Sequence, residues 1–311
     1  MVQLPDVSSS TCQQAWRWRR TFRISAVDIK SVRLALFRNV TKPKYALGSD
    51  DTEIRRLQTQ AALLAEPTGL LLRRGGIGPG MRVLDLGSGP GDVAFQVAEM
   101  VGPDGSVVGI EQDSPQITVA MQRRDAFGCR NVDFRQGDAR TFLDEQPYDA
   151  VVCRLLLLHL PDAADVLAHH LRNLRPGGVF IAVDLDTAGM RALPEVELYS
   201  RVIKWVVAGL EYAHSDAFIG RRFPLLFEQA GFRDVGTLGL QDYWPPRSPH
   251  AAAHMAGIAC ALKHAIVKSG VATEEELGLD TLEQRLGEAI ASANAVVSLP
   301  TVVGGWGRRP E

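Results

Sequence analysis

"VLDLGSGPGDVA", residues 83–94, decides the fold, because a short apolar run here ends in a burst of glycine. A chain that turns this way usually lays its backbone against a ligand. The pattern is Asp85-x-Gly87-x-Gly89-x-Gly91. A dinucleotide fingerprint needs GxGxxG, spaced to aim a helix N-terminus at a pyrophosphate, with an acid about 20 residues further on. Alternate glycines behind an acid suit an amino-acid moiety better. They let an extended ligand cross the backbone, and Asp85 can orient the turn and attract an ammonium group.

Outward from this stretch, strands and helices alternate. "GIGPGMRVLDLG" opens the first strand after a glycine/proline turn, "GDVAFQVAEMVG" has helical periodicity, and "SVVGIEQD" supplies a second strand ending in acids, which completes a βαβ unit. A helix over 114–127, strands in "VDFRQGDA" and "YDAVVCRLLL", a helix in "DAADVLAHHLRNL", a turn at "RPGG" and a strand in "VFIAVDLD" continue the series. Such alternation predicts an α/β fold whose parallel sheet is covered on both faces and binds ligands at its carboxyl edge. Upstream, "SDDTEIRRLQTQAALLAEPTGLLLRR" begins on capping residues and predicts two helices, bent or broken near Pro67. Downstream of Asp186, helices are expected over about 193–213 and 221–230, a strand in "FRDVGTLGLQDYW", helices over about 248–268 and 273–292, and a closing strand in "TVVGGWGRRP".

Composition narrows the functional class. The 311 residues are 46% hydrophobic and 23% charged with net charge −2, so nothing global suggests a nucleic-acid or other polyanionic partner. Cys12, Cys129, Cys153 and Cys260 lie far apart without metal-ligand spacing, which reads as free thiols in a reducing cytosol. No apolar run reaches the length of a membrane span and the N-terminus lacks the apolar core of a secretory signal, so the expected location is cytoplasmic. Residues 1–44 carry nine Lys/Arg against two acids. That segment reads as a basic arm for nucleic acid or membrane, as an Arg-rich transit-like segment, or as a poorly ordered extension from an upstream start.

Glu111 ends the second strand about 20 residues after the glycines, where a carboxylate can accept hydrogen bonds from both hydroxyls of a ribose. Asp138, in "QGDAR" after the third strand, stands where an adenine edge would end. With these residues in place, the chain resembles the class I S-adenosylmethionine-dependent methyltransferases. Residues 81–186 carry the likeness through "VLDLGSGPG", "VVGIEQD", "FRQGDA", "YDAVVCRLLLLHLPD" and "LRPGGVFIAVD", in order and at the right spacing. Within that family it is similar to the ubiquinone/menaquinone-type and small-molecule methyltransferases.

The resemblance implies a Rossmann-like seven-stranded, mostly parallel sheet with a reversed last strand, a helical N-terminal leader and a helical insertion over the active site. The expected division is a basic extension over 1–44, a leader or cofactor lid over 45–78, the methyltransferase core over 79–245, a specificity insertion over 246–297, and the last strand and tail over 298–311. For S-adenosylmethionine it implies a binding set of Asp85, Gly87, Ser88, Gly89 and Gly91 at the methionine part, Glu111 with Gln112 at the ribose, and Asp138 with Ala139 at the adenine. Tyr45 and Gln60 match a segment that closes over the cofactor in some relatives, and Arg154 is placed to touch it through its backbone, to bind an acidic acceptor, or equally to form a structural ion pair.

Methyl transfer is an in-line displacement that needs alignment and exclusion of water, and no metal. A base helps only if the nucleophile arrives protonated. His159, in "RLLLLHL", is the candidate for that role, with packing against substrate as its plainer reading. Tyr212, His214, Tyr243 and Trp244 are candidates to line a pocket for a flat organic acceptor. Two pairs read as structural, His169 with His170 and Asp184 with Asp186 (a DxD without further ligands), while Arg221 and Arg222 could clamp a carboxylate or phosphate or equally form a solvated pair at a helix start. The expected activity is methylation of a small aromatic or polycyclic metabolite, and a homodimer is left open. The rivals are a protein that binds the cofactor without transferring methyl, as a cyclase or regulatory module, an RNA methyltransferase using the basic arm, and an NAD-dependent oxidoreductase. The RNA reading is weakened by "CRLLLL" where amino-methylating enzymes carry an NPPY-like tetrapeptide.

Overall fold

The computed structural model describes residues 51–311. α1 (Asp51–Gly75) leads into β1 (Arg82–Leu86), α2 (Asp92–Val101), β2 (Ser106–Glu111), α3 (Ser114–Phe127), β3 (Val132–Gln136), β4 (Tyr148–Arg154), α4 (Ala163–His170) and β5 (Leu174–Asp186). β1 pairs in parallel with β2 on one side and β4 on the other, with β3 and β5 outside them, also parallel. Strands covered on both faces need apolar side chains on both, and Val83, Leu84, Leu86, Ile110, Val151, Val152, Phe180 and Ile181 are all fully buried.

The chain continues through β6 (Arg191–Leu193), α5 (Glu197–Tyr212), α6 (Ile219–Gln229), β7 (Arg233–Leu240), β8 (Tyr243–Trp244), α7 (Pro249–Ala261), α8 (Lys263–Ser269), α9 (Glu274–Leu277), α10 (Leu279–Ser292), β9 (Val296–Ser298) and β10 (Thr301–Arg308). The large sheet has the order β3-β2-β1-β4-β5-β10-β7. β10 runs antiparallel to both its neighbours, so the closing segment is the reversed last strand. Its glycines let helices press close on both faces: a Cβ at Gly304 would stand 2.8 Å from Leu71 of α1, and one at Gly305 2.6 Å from Phe223 of α6.

A second core forms around Met190, Tyr199, Trp205, Met255, Ile266, Leu282, Leu286 and Ile290, beside a three-stranded sheet of order β6-β9-β8. Connectivity fixes where this layer sits. β5 and β7 leave the large sheet at their carboxyl ends to feed β6 and β8, and β9 leads into the start of β10, where Thr301 pairs with Asp186. The layer therefore hangs from the edge of the sheet that also carries the glycine turn after β1. Its apolar core draws on residues 190–206 as well as on 251–297.

Four expectations are corrected. α1 is one helix of 25 residues that runs through Pro67. Proline removes one backbone donor, yet Leu64, Thr68, Leu71 and Leu72 on either side are buried, and the Ala65 carbonyl accepts from Gln96 Nε2 at 2.7 Å, so tertiary contacts keep the helix continuous. "RPGG" lies inside β5 as a bulge, between the Tyr148–Leu174 and Ala150–Val179 pairings. "FRDVGTLGLQDYW" divides into β7 and β8, which join different sheets. The last two helices become four, broken at Leu262 and at Gly278, whose φ of +48° is a helix stop.

Candidate active site

The turn between β1 and α2 is held on three sides. At Gly91, with φ of +91°, a Cβ would lie 2.8 Å from the rings of both Phe134 and Phe95, and at Gly87 it would lie 3.1 Å from Leu156 Cδ1. Neighbouring strand ends then tie the turn down. Ser88 N–H donates to the Ile110 carbonyl at 3.0 Å, and Gly89 N–H donates to Glu111 Oε2 at 2.9 Å. Glu111 Oε1 accepts from the amides of Gln112 and Asp113 at 2.8 and 2.9 Å. A carboxylate has about four lone-pair positions, so Glu111 keeps capacity for a further donor.

Below the turn the electrostatics are incomplete. Asp85 is buried, and burial pushes its carboxyl up to about 8, against the pull of Arg154 and with Glu111 and Asp92 adding to the rise. Among the described residues, Asp85 Oδ2 and Ser88 Oγ are buried polar atoms without a hydrogen-bond partner. Buried polar groups are nearly always paired, so two at one turn point to a ligand that completes them. Arg154 adds an under-used cation: its side chain is 13% exposed, and among the described residues its one ion contact is Nη2 at 3.8 Å from Asp92 Oδ2. Asp92 itself is engaged more closely by Arg123, at 2.7 Å.

Further along the same edge, Gln136 Nε2 donates to the Gln112 carbonyl at 3.2 Å. Asp138 accepts from the backbone and guanidinium of Arg140, the latter at 2.6 Å, and that pairing holds its carboxyl below the usual range. The Ala139 carbonyl meets Nε2 of buried His170 at 2.6 Å, and burial lowers His170 to about 4. The ends of β1, β2, β3 and β4 thus carry Asp85, Gly87, Ser88, Gly89, Gly91, Glu111, Gln112, Asp138, Ala139 and Arg154 along one edge. Gln60 belongs to α1, though its side chain lies outside the described ones, and Tyr45 lies outside the described residues.

Beyond β4 the chain makes a short 3-10 turn, Leu157–His159. Leu158 N–H donates to Asp184 Oδ2 at 3.1 Å, and its carbonyl accepts from Asp216 N–H at 2.8 Å. His159 is exposed, with Nδ1 2.9 Å from Ser215 Oγ, while desolvation of the ring holds its pKa below the ordinary value. Ser215 was not legible in the sequence, since it stands 56 residues away with no motif around it. Asp184 is buried, and burial raises its carboxyl to about 7 despite the amides of Leu158 and Leu185 that it accepts.

Asp186 takes Arg221 through Nε and Nη2, both at 2.9 Å, and Arg222 pairs with Asp216. Both arginines and the second Asp of the DxD are thus engaged in ion pairs. Among the described residues no group of three or more His, Cys, Asp or Glu is placed to hold a metal. Tyr212 and Tyr243 are exposed, Tyr243 donating to Gln241 Oε1 at 3.1 Å, and Trp244 lies edge-on to His250 and His254. His214 lines a cavity of about 230 Å³ between α4 and α6, together with Leu158, Asp162 and Arg222. No hydrogen bond or ring contact among the described residues joins these four to His159.

A family model described as a methyltransferase domain matches residues 77–231. The chain is 37% identical over 107 residues to the arsenite methyltransferase of Aquipseudomonas alcaligenes, covering 32% of this chain and 31% of that protein. It is 31% identical over 168 residues to the 2-phytyl-1,4-naphtoquinone methyltransferase of Synechococcus elongatus, covering 50% of this chain and 72% of the relative. The chain spans less than half the length of several curated relatives it matches. Its fold is like that of phosphoethanolamine N-methyltransferase 2 of Haemonchus contortus, solved with S-adenosyl-L-methionine (TM-score 0.50, 19% identity, 79% of this chain and 53% of that chain). No helix among the described residues is long and apolar enough to cross a membrane.

Proposed function

This chain belongs to the class I S-adenosylmethionine-dependent methyltransferases, and from that premise we propose that it methylates a small organic acceptor, an aromatic or polycyclic metabolite. The observation that carries this reading is the glycine turn with two buried polar atoms beneath it that have no partner among the described residues, clasped by a carboxylate that keeps accepting capacity. S-adenosylmethionine, the cofactor, supplies a methyl group activated on a sulfonium sulfur.

The chain's own part is binding, alignment and exclusion of water. Asp85 and Ser88 would take the ammonium group, and the unused donors of Arg154 a carboxylate. Glu111 would accept from the ribose hydroxyls, with Gln112 beside it, and Asp138 with Ala139 would border the adenine. His159, Tyr212, His214, Tyr243 and Trp244 are the acceptor-side candidates, and His159 is the one carried by the turn that touches Gly87 through Leu156. The helical layer hanging from that edge would shape the acceptor site, as variable additions at the ligand end of such sheets commonly do.

Calorimetric titration of the full chain with S-adenosylmethionine and S-adenosylhomocysteine tests the reading, followed by a panel of small aromatic acceptors scored by S-adenosylhomocysteine release. Saturable binding that is lost in Glu111→Ala supports it. Absence of binding by the intact chain sinks it.

A further inference from the structure

Ser215 is 6% exposed, and among the described residues its hydroxyl has one partner, Nδ1 of His159 at 2.9 Å. A hydroxyl has one proton to donate. If Nδ1 carried the ring proton and gave it to Ser215, that buried hydroxyl proton would be left unpaired, which is unfavourable. If Ser215 donates to Nδ1, both groups are satisfied and the ring proton stands on Nε2.

The surroundings favour the second arrangement. Among the described residues no carboxylate bonds either ring nitrogen: Asp184 is taken up by the amides of Leu158 and Leu185, and Asp216 by the Phe218 amide and Arg222. Nothing therefore holds the ring as an imidazolium, and desolvation favours the neutral form. Among the described residues Nε2 has no hydrogen-bond partner, and His159 as a whole residue is exposed.

We propose that Ser215 fixes His159 as its neutral Nε2–H tautomer, so that His159 meets the acceptor as a hydrogen-bond donor to an already ionised oxygen and not as the base that removes its proton. The acceptor half rests on the methyltransferase reading. The matching chemistry is an acidic enolate, an acidic phenolate or a carboxylate. The new oxygen–carbon bond uses the oxygen's own electron pair, the sulfur keeps the pair of the bond that breaks, and no proton has to be placed.

The test is two-bond proton–nitrogen correlation of histidine-labelled full-length protein at neutral pH, with His159 assigned by the signal missing in His159→Gln. The expected result is a protonated Nε2 and an unprotonated Nδ1, shifting to a tautomer mixture in Ser215→Ala and kept in Ser215→Thr. A protonated Nδ1 in the wild type, or a tautomer untouched by Ser215→Ala, overturns the proposal. This readout is independent of cofactor titration, so failure of the methyltransferase reading is seen separately. With cofactor binding established, a series of phenols of falling pKa gives the second arm. The pH midpoint of kcat/KM should follow the phenol and survive in His159→Gln. A midpoint that is the same for every phenol and vanishes in that variant overturns the donor role.

Discussion

Glu111 Oε2 accepts the Gly89 amide proton at 2.9 Å, so the carboxylate ending β2 clasps the glycine turn that ends β1. One side chain therefore shapes the turn and, in the proposed site, would also face the ligand. Hydrogen bonds to a charged acceptor contribute about 1.5–3 kcal/mol each, and about 1.4 kcal/mol is tenfold in affinity. Glu111→Ala should weaken S-adenosylmethionine binding by at least roughly tenfold. Calorimetry giving wild-type affinity for the variant would remove Glu111 from the site.

Gly91→Ala combines left-handed strain with overlap, since its φ is +91° and the added Cβ would lie 2.8 Å from two phenyl rings. Gly128→Ala, at φ of +67° with open space around it, carries the strain alone. Each kcal/mol lowers Tm by about 2–4 °C for a domain of this size. The melt of Gly91→Ala should fall several degrees further than that of Gly128→Ala, and equal shifts would count against close packing of the turn.

Asp85, held near 8 by burial, is mostly protonated at neutral pH before ligand binds. An ammonium group docking beside it favours the carboxylate, so binding should expel a proton and tighten as pH rises toward 8. Titrations in two buffers of different ionisation enthalpy should reveal release of up to one proton. The same comparison on Asp85→Asn should show none, and matching behaviour of the two proteins would rule out this coupling.

Asp184 makes stability depend on pH with a definite sign. Its folded pKa of about 7 lies above the ordinary 3.8, so its contribution is complete below the lower value and is lost as pH rises through the upper one. Relative to Asp184→Asn, the wild type should lose stability between about pH 4 and 7 and then level off. Urea midpoints measured across that range should converge or cross, and parallel curves would contradict the buried, protonated state.

What the sequence by itself determined is the ladder from β1 to β5 with the glycine turn at its carboxyl edge. Alternating apolar runs, helical periodicity and the Asp85–Gly91 spacing are all carried by near neighbours in the chain, where hydrophobic pattern and turn chemistry act. Only the tertiary structure decided the rest. Pro67 stays inside α1 because the sheet and α2 hold both sides of it, Asp186 closes on Arg221, and β6, β8 and β9, each of two or three residues, find one another from distant parts of the chain. His159 acquires its partner from Ser215, 56 residues on. Such contacts gain their energy from burial and pairing that exist only once the chain has folded, so no local pattern encodes them.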